Sequence, residues 1–221
     1  MIPTIVNMTV NASGAAAAAK NGQVVVIVDI IDMTTTCEAA LDAGALAVYG
    51  AAPDNVNCPV ETNPEKIGFM AGSQAVDADA EVVVVAEPRV GGVKERMNNV
   101  SQVVEGIKKA GAKIGAVLPN LGSETGKLTE LEGKVLVAAT GTGGVAFDAA
   151  VTAGAPAVLT ATVARTMRKK GTMPAKEGVK RALVAAEQLK TGITVVAASA
   201  NSLEDILAAE YLVKQIIMEK N

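Results

Sequence analysis

Asp29 and Asp32 stand three residues apart, directly after the apolar run Val24-Val25-Val26-Ile27-Val28 and just before Thr34-Thr35-Thr36-Cys37. A buried strand does not hold carboxylates in its interior, so the run must end there, at the edge where open parallel sheets place their ligands. Residues three apart in a turn can face one point. Two carboxylates so placed can hold a hard cation, or act as acid and base. The structural alternative is that Asp32 caps the next helix and Asp29 bonds the turn backbone. Thr34, Thr35 and Thr36 add hydroxyls and backbone N–H groups at a helix start, which favours an anion. Their plain alternative is capping, with Glu38 assisting the first turn.

Four further segments carry polar groups at element ends. Glu87-Pro88-Arg89-Val90-Gly91-Gly92 follows the apolar run 82–86. Arg89 there suits a bidentate clamp on phosphate, sulfonate or carboxylate, and the alternative is a solvated loop. Asn98-Asn99-Val100-Ser101 then enters a helix, with Ser101 as a cap. Thr140-Gly141-Thr142-Gly143-Gly144 is a turn between strand and helix whose amides can cradle an anion; the alternative is a tight packing turn. It lacks the Gly-Lys-Ser/Thr ending of a nucleotide P-loop, and no Gly-x-Gly-x-x-Gly signature occurs. Asn201-Ser202-Leu203-Glu204-Asp205 opens the last long helix, where dipole and capping chemistry suffice to explain the acids.

Composition narrows the chemistry. Histidine is absent, which excludes a Ser-His-Asp triad, a Cys-His dyad, a histidine base and the usual zinc sites. Any metal site must be oxygen-rich, so it selects Mg²⁺, with Mn²⁺ as the second choice. Net charge is −3 with no basic stripe, which argues against a nucleic-acid partner. The cluster from Arg165 to Lys170 reads as a solvated helix end. Cys37 and Cys58 lack metal-type spacing and fit a reducing cytoplasm. No signal peptide or membrane-spanning run is expected, and Ala15 to Ala19 is too short to cross a bilayer. A surface rich in Ala and Gly with 2% aromatic residues suggests a homo-oligomer.

The elements that must position these groups alternate. Strand-like runs cover 5–10, 24–28, 47–50, 82–86, 114–118, 134–139, 157–160 and 193–198. Helical patterns cover 37–43, 63–74, 100–110, 145–153, 175–189 and 203–218. This predicts an α/β protein, three layers α/β/α, with a largely parallel or mixed sheet. Segments 24–48 and 134–158 align without gaps, matching Ala43-Gly44-Ala45 with Ala153-Gly154-Ala155. Either the chain is a pseudo-repeat of two halves, or Gly simply caps helices before strands. A repeat would let the loops after Val28 and Ala139 face each other across one cleft. Loops 53–64 and 122–129 are too short to demand a boundary, so 1–221 reads as one compact domain, with half-domains about 1–120 and 121–221 if the repeat is real.

The order of these segments resembles the 2-phosphosulfolactate phosphatase family. Its opening signature, a strand then Asp, two apolar residues, Arg, Ala and Ser/Thr, is similar to Asp29-Ile30-Ile31-Asp32-Met33-Thr34-Thr35-Thr36. Its Gly-Glu-Arg loop resembles Ala86-Glu87-Pro88-Arg89, and its acidic-Leu-Gly-Asn-Ser step resembles Asn98-Asn99-Val100-Ser101. Its Thr-Thr-Asn-Gly-Thr turn resembles Ala139-Thr140-Gly141-Thr142-Gly143, and its Ser-Leu-Glu-Asp helix start matches Ser202-Leu203-Glu204-Asp205. This chain departs by placing Asp32 where the family has Arg, Asn98 where it has an acid, and Gly141 where it has Asn.

The resemblance implies a Mg²⁺-dependent hydrolase releasing phosphate from a small phosphorylated acid, a step toward coenzyme M in the family. Asp29, Asp32 and Arg89 would be catalytic. Asp29, Asp32, Glu204 and Asp205 would hold the metal. Thr34, Thr35, Thr36, Glu87, Asn98, Asn99, Ser101, Thr140, Gly141, Thr142 and Gly143 would contact substrate. Asp32 beside a polyanion would repel it, so that position can instead serve a second metal or a cationic or neutral substrate. The rival expectation is a family member that binds a small anionic metabolite without turnover; a lyase or isomerase using the same groups is a third.

Overall fold

The computed structural model describes residues 5–31 and 33–220. Asp32, a candidate catalytic residue and metal ligand, lies outside them. Every strand expected from the sequence is present, beginning with β1 (Val6–Val10), β2 (Val24–Val28), β3 (Ala47–Ala51) and β4 (Glu81–Ala86). The others are β5 (Lys113–Pro119), β6 (Val135–Ala139), β7 (Val158–Ala161) and β8 (Ile193–Ala197). The helices are α1 (Asn11–Lys20), α2 (Met33–Asp42), α3 (Pro64–Asp77), α4 (Val93–Asn98) and α5 (Ser101–Lys109), then α6 (Gly143–Thr152), α7 (Met173–Leu189) and α8 (Leu203–Lys220).

Helices α1 and α4 have no counterpart among the expected elements. Helix α1 starts without a side-chain cap and buries Ala15, Ala16, Ala18 and Ala19, so it shows little apolar–polar contrast. Helix α2 starts earlier than expected, because buried Thr34, Thr35 and Thr36 are its first turn rather than its approach.

The strands form two parallel sheets, ordered β1-β8-β2-β7 and β3-β6-β4-β5. The α/β/α layering holds for each. Alternate residues decide the layers of the first sheet. Val24, Val26 and Val28 join α7 and α8 in one apolar cluster, whereas Val25 and Ile27 join α1 and α2 in another. Helices α2 and α6 contact strands of both sheets and so form a shared middle layer, while α3 and α5 cover the far side of the second sheet. Shared burial explains why α2 and α6 are apolar or small nearly all round. It also requires Gly50, where an added Cβ would lie 2.7 Å from the Phe147 Cβ and 2.8 Å from the Met33 sulfur.

The chain crosses from the first sheet to the second through α2 and returns through α6. Matching β2 to β6 and β3 to β7, as the gapless alignment does, gives both sheets the same strand order: β1-β8-β2-β7 against β5-β4-β6-β3. The alignment pairs Glu38 with Asp148, and both are buried acids on the middle helices. Glu38 accepts from Thr160 Oγ1 on β7, and Asp148 from the Ala52 amide just after β3.

Candidate functional site

The apolar run of strand β2 ends at Val28, and Asp29 follows at its C-terminal end, still buried at 3% exposure. Its carboxylate oxygen Oδ2 accepts from Thr142 Oγ1 at 2.8 Å and from the Gly143 amide at 2.7 Å. The Met33 amide also donates to this side chain. Met33 opens α2 and Gly143 opens α6, so the N-termini of both middle helices converge on one carboxylate. Burial pushes the Asp29 carboxyl above its ordinary range, against the pull of these donors and of the Arg89 charge. The loops after β2 and β6 therefore do face each other.

Asp205 approaches from the first turn of α8, where Ser202 Oγ accepts the Asp205 amide at 3.2 Å. That is the cap expected from the sequence. Asp205 Oδ1 itself accepts from the Ile30 amide at 2.8 Å, which ties α8 to the end of β2. Burial raises its carboxyl too, and the Asp29 charge adds to the rise. Asp29, Thr142, Glu204 and Asp205 line a common cavity of about 280 Å³ with Ser199 and Ser202. It lies between β2, whose helix leaves on the middle layer, and β8, whose helix leaves on the outer face. Such a switch point opens a crevice at the strand ends.

The other expected contacts fall elsewhere. Thr34 Oγ1 donates to the Asp29 carbonyl and accepts its amide; Thr35 Oγ1 donates to the Ile30 carbonyl. Thr36 Oγ1 donates to Asn120 Oδ1. All three threonines are buried and turned inward. Ser101 does not act as a cap but is capped: Asp54 accepts from its amide and its hydroxyl, both at 2.6 Å. Asn98 is an exposed residue at the end of α4. Glu87, Asn99, Thr140 and Gly141 do come together, around a second cavity of about 360 Å³ at the ends of β4 and β6. Arg89 is exposed on the loop after β4 and pairs with Glu87 at 3.4 Å. Burial also raises the Glu87 carboxyl, against a bond from the Arg89 amide and the charge of Arg96.

Sequence reasoning missed several participants. Arg96 is buried and braces the loop after β4 by donating to the carbonyls of Arg89 and Gly91. Asn11 opens α1 directly after β1 with φ of 62°, and its Oδ1 accepts the Ala200 amide. A non-glycine residue with left-handed backbone at a strand-to-helix turn marks a built position, and Asn tolerates it best. No periodicity reveals it.

Among the described residues, no group of three or more metal-ligating side chains is gathered. Asp29 and Asp205 supply an all-oxygen pair, which suits Mg²⁺, since that ion keeps several waters and takes one or two carboxylates plus substrate oxygens. No helix of the described residues is long and apolar enough to cross a membrane. The chain matches no protein-family model and no curated protein.

Proposed function

We propose that this protein is a Mg²⁺-dependent hydrolase that releases phosphate from a small phosphorylated acid. The observation that carries this reading is the pairing of Asp29 and Asp205 in one crevice, both pushed above the ordinary carboxylate range. Burial is the main cause of both shifts, with the Asp29 charge adding to that of Asp205, and a divalent cation at these carboxylates would favour their charged forms. When bound, the ion supplies charge neutralisation at the phosphoryl oxygens. Asp29, held by three donors, and Asp205, held by the Ile30 amide, would be its ligands. Arg89, on the loop after β4 and paired with Glu87, would turn toward the crevice to orient a phosphoryl oxygen. Glu204 at the rim would take a proton from the attacking water as the water oxygen bonds phosphorus and the ester P–O bond breaks, and would pass that proton to the leaving ester oxygen, which departs as the alcohol. The ordered likeness to the 2-phosphosulfolactate phosphatases supports the same assignment.

A second reading is binding of an anionic metabolite without turnover. Its support is that the expected anion cradle is filled from within: the Gly143 amide is given to Asp29, and the threonine hydroxyls point inward. Phosphate release from a panel of small phosphorylated acids, with and without Mg²⁺, separates the two. Mg²⁺-dependent release that Asp29→Asn abolishes supports the hydrolase. Saturable binding of a panel member with no product supports the binder.

A further inference from the structure

The acidic crevice does not end at Thr142. A third cavity of about 260 Å³ shares Thr142 and Ser199 with it, and shares Val56 and Gly141 with the cavity around Glu87 and Asn99. The three lie side by side along the 139–142 turn, from the end of β2 to the ends of β6 and β4, and neighbours share lining residues. The two ends of this row differ chemically. The near end carries Asp29, Glu204 and Asp205. The far end has apolar walls at Pro53, Val56 and Val100, with Asn55, Asn99 and Thr140 as hydrogen-bonding groups. Thr140 Oγ1 accepts the Gly144 amide, which leaves its proton to donate. Glu87 faces the same space and disfavours a second anion there.

Gly141 stands at the waist. Its φ lies outside the left-handed range, and an added Cβ would meet nothing within 4 Å. A side chain there would enter this space without strain in the turn. Gly141 lines both the middle and the far cavity, and as glycine it puts no side chain between them.

We infer that the three cavities act as one groove that takes an elongated ligand, with a phosphorylated head in the Asp29 crevice and an uncharged hydrogen-bonding tail, of carboxamide or hydroxyl type, beyond Gly141 against Asn99 and Thr140. The head placement rests on the hydrolase reading; the tail placement rests on the groove alone. Each methylene buried along the apolar walls tightens binding by about fourfold.

The test uses ω-carboxamidoalkyl phosphates of increasing chain length, with hydroxyl-headed counterparts, measured by calorimetry in Mg²⁺. Cys58 lines the middle cavity and Cys37 is buried, so Cys58 modification by a thiol reagent reports occupancy of the waist. Expected results are affinity that climbs with length, shielding of Cys58 by long members only, and loss of both length effects in Gly141→Leu at unchanged thermal stability. A gain with length in the hydroxyl-headed series, with nothing added by phosphate, upholds the groove and sinks the hydrolase reading. Affinity independent of length, an unshielded Cys58, or a length gain that survives Gly141→Leu overturns the groove.

Discussion

The Asp29 carboxylate accepts the Gly143 amide at 2.7 Å across 114 positions of sequence. This bond joins the turn after β2 to the turn after β6, and so joins the first strand of each half of the alignment. It also leaves no room at position 143. An added Cβ would lie 2.7 Å from the Asp29 Cβ. Gly143→Ala should push Asp29 out of its cradle and destabilise the protein by about 1–3 kcal/mol, as overpacking does. Urea unfolding checks it, and an unchanged midpoint would show that the cradle yields freely.

Asp29→Asn should show a pH-dependent stability difference with a defined sign. Burial raises the Asp29 carboxyl in the native state above its ordinary value of 3.8. The native state then binds more protons than the unfolded state between that value and the raised one. The wild-type contribution is full below 3.8 and is lost as pH rises through the native value. Asparagine does not titrate, so the variant gains on wild type as pH rises and levels off above the window. Paired unfolding curves from about pH 4 to about pH 7.5 measure this; a difference that shrinks with rising pH would contradict it.

Arg181 on α7 reaches Glu38 Oε1 at 2.5 Å and the Thr160 carbonyl at 3.1 Å. Glu38 is almost wholly buried, and burial raises its carboxyl against the pull of Arg181. Arg181→Met strands that acid. The expected cost is about 3 kcal/mol, the low end for a broken buried pair, because 32% of the Arg181 side chain meets solvent. Adding Glu38→Gln should recover part of the loss, since an amide replaces the stranded charge. A double variant no better than the single would place the damage in packing instead.

Helices α3 and α5 touch backbone to backbone. An added Cβ at Gly68 would lie 2.9 Å from the Val103 carbonyl carbon, and one at Gly106 would lie 2.7 Å from the Phe69 nitrogen. Gly68→Ala should cost about 1–3 kcal/mol despite the better helix propensity of alanine. Gly92→Ala, at the extended residue before α4 where a Cβ meets nothing within 4 Å, is the control for free space. Equal melting temperatures for both variants would mean the helices separate without penalty.

The sequence by itself determined where the strands end, and hence which residues stand at their C-terminal edges. Runs such as Val24–Val28 and Val135–Ala139 are apolar throughout and stop at polar residues, so Asp29 and Thr140 were legible as edge positions. The Ser202 cap and the α/β alternation were legible for the same local reason. Tertiary structure decided which edges meet. Eight strands can be shared among sheets in many ways, and local pattern is blind to the choice between one sheet and two. The division into two sheets places α2 and α6 between them, turns Thr34, Thr35 and Thr36 inward, and aims the Gly143 amide at Asp29. It also draws Asp205 to the end of β2 and sends Glu87 and Asn99 to another cavity. Those outcomes rest on contacts between residues far apart in the chain, which depend on the fold and not on any local run of residue types.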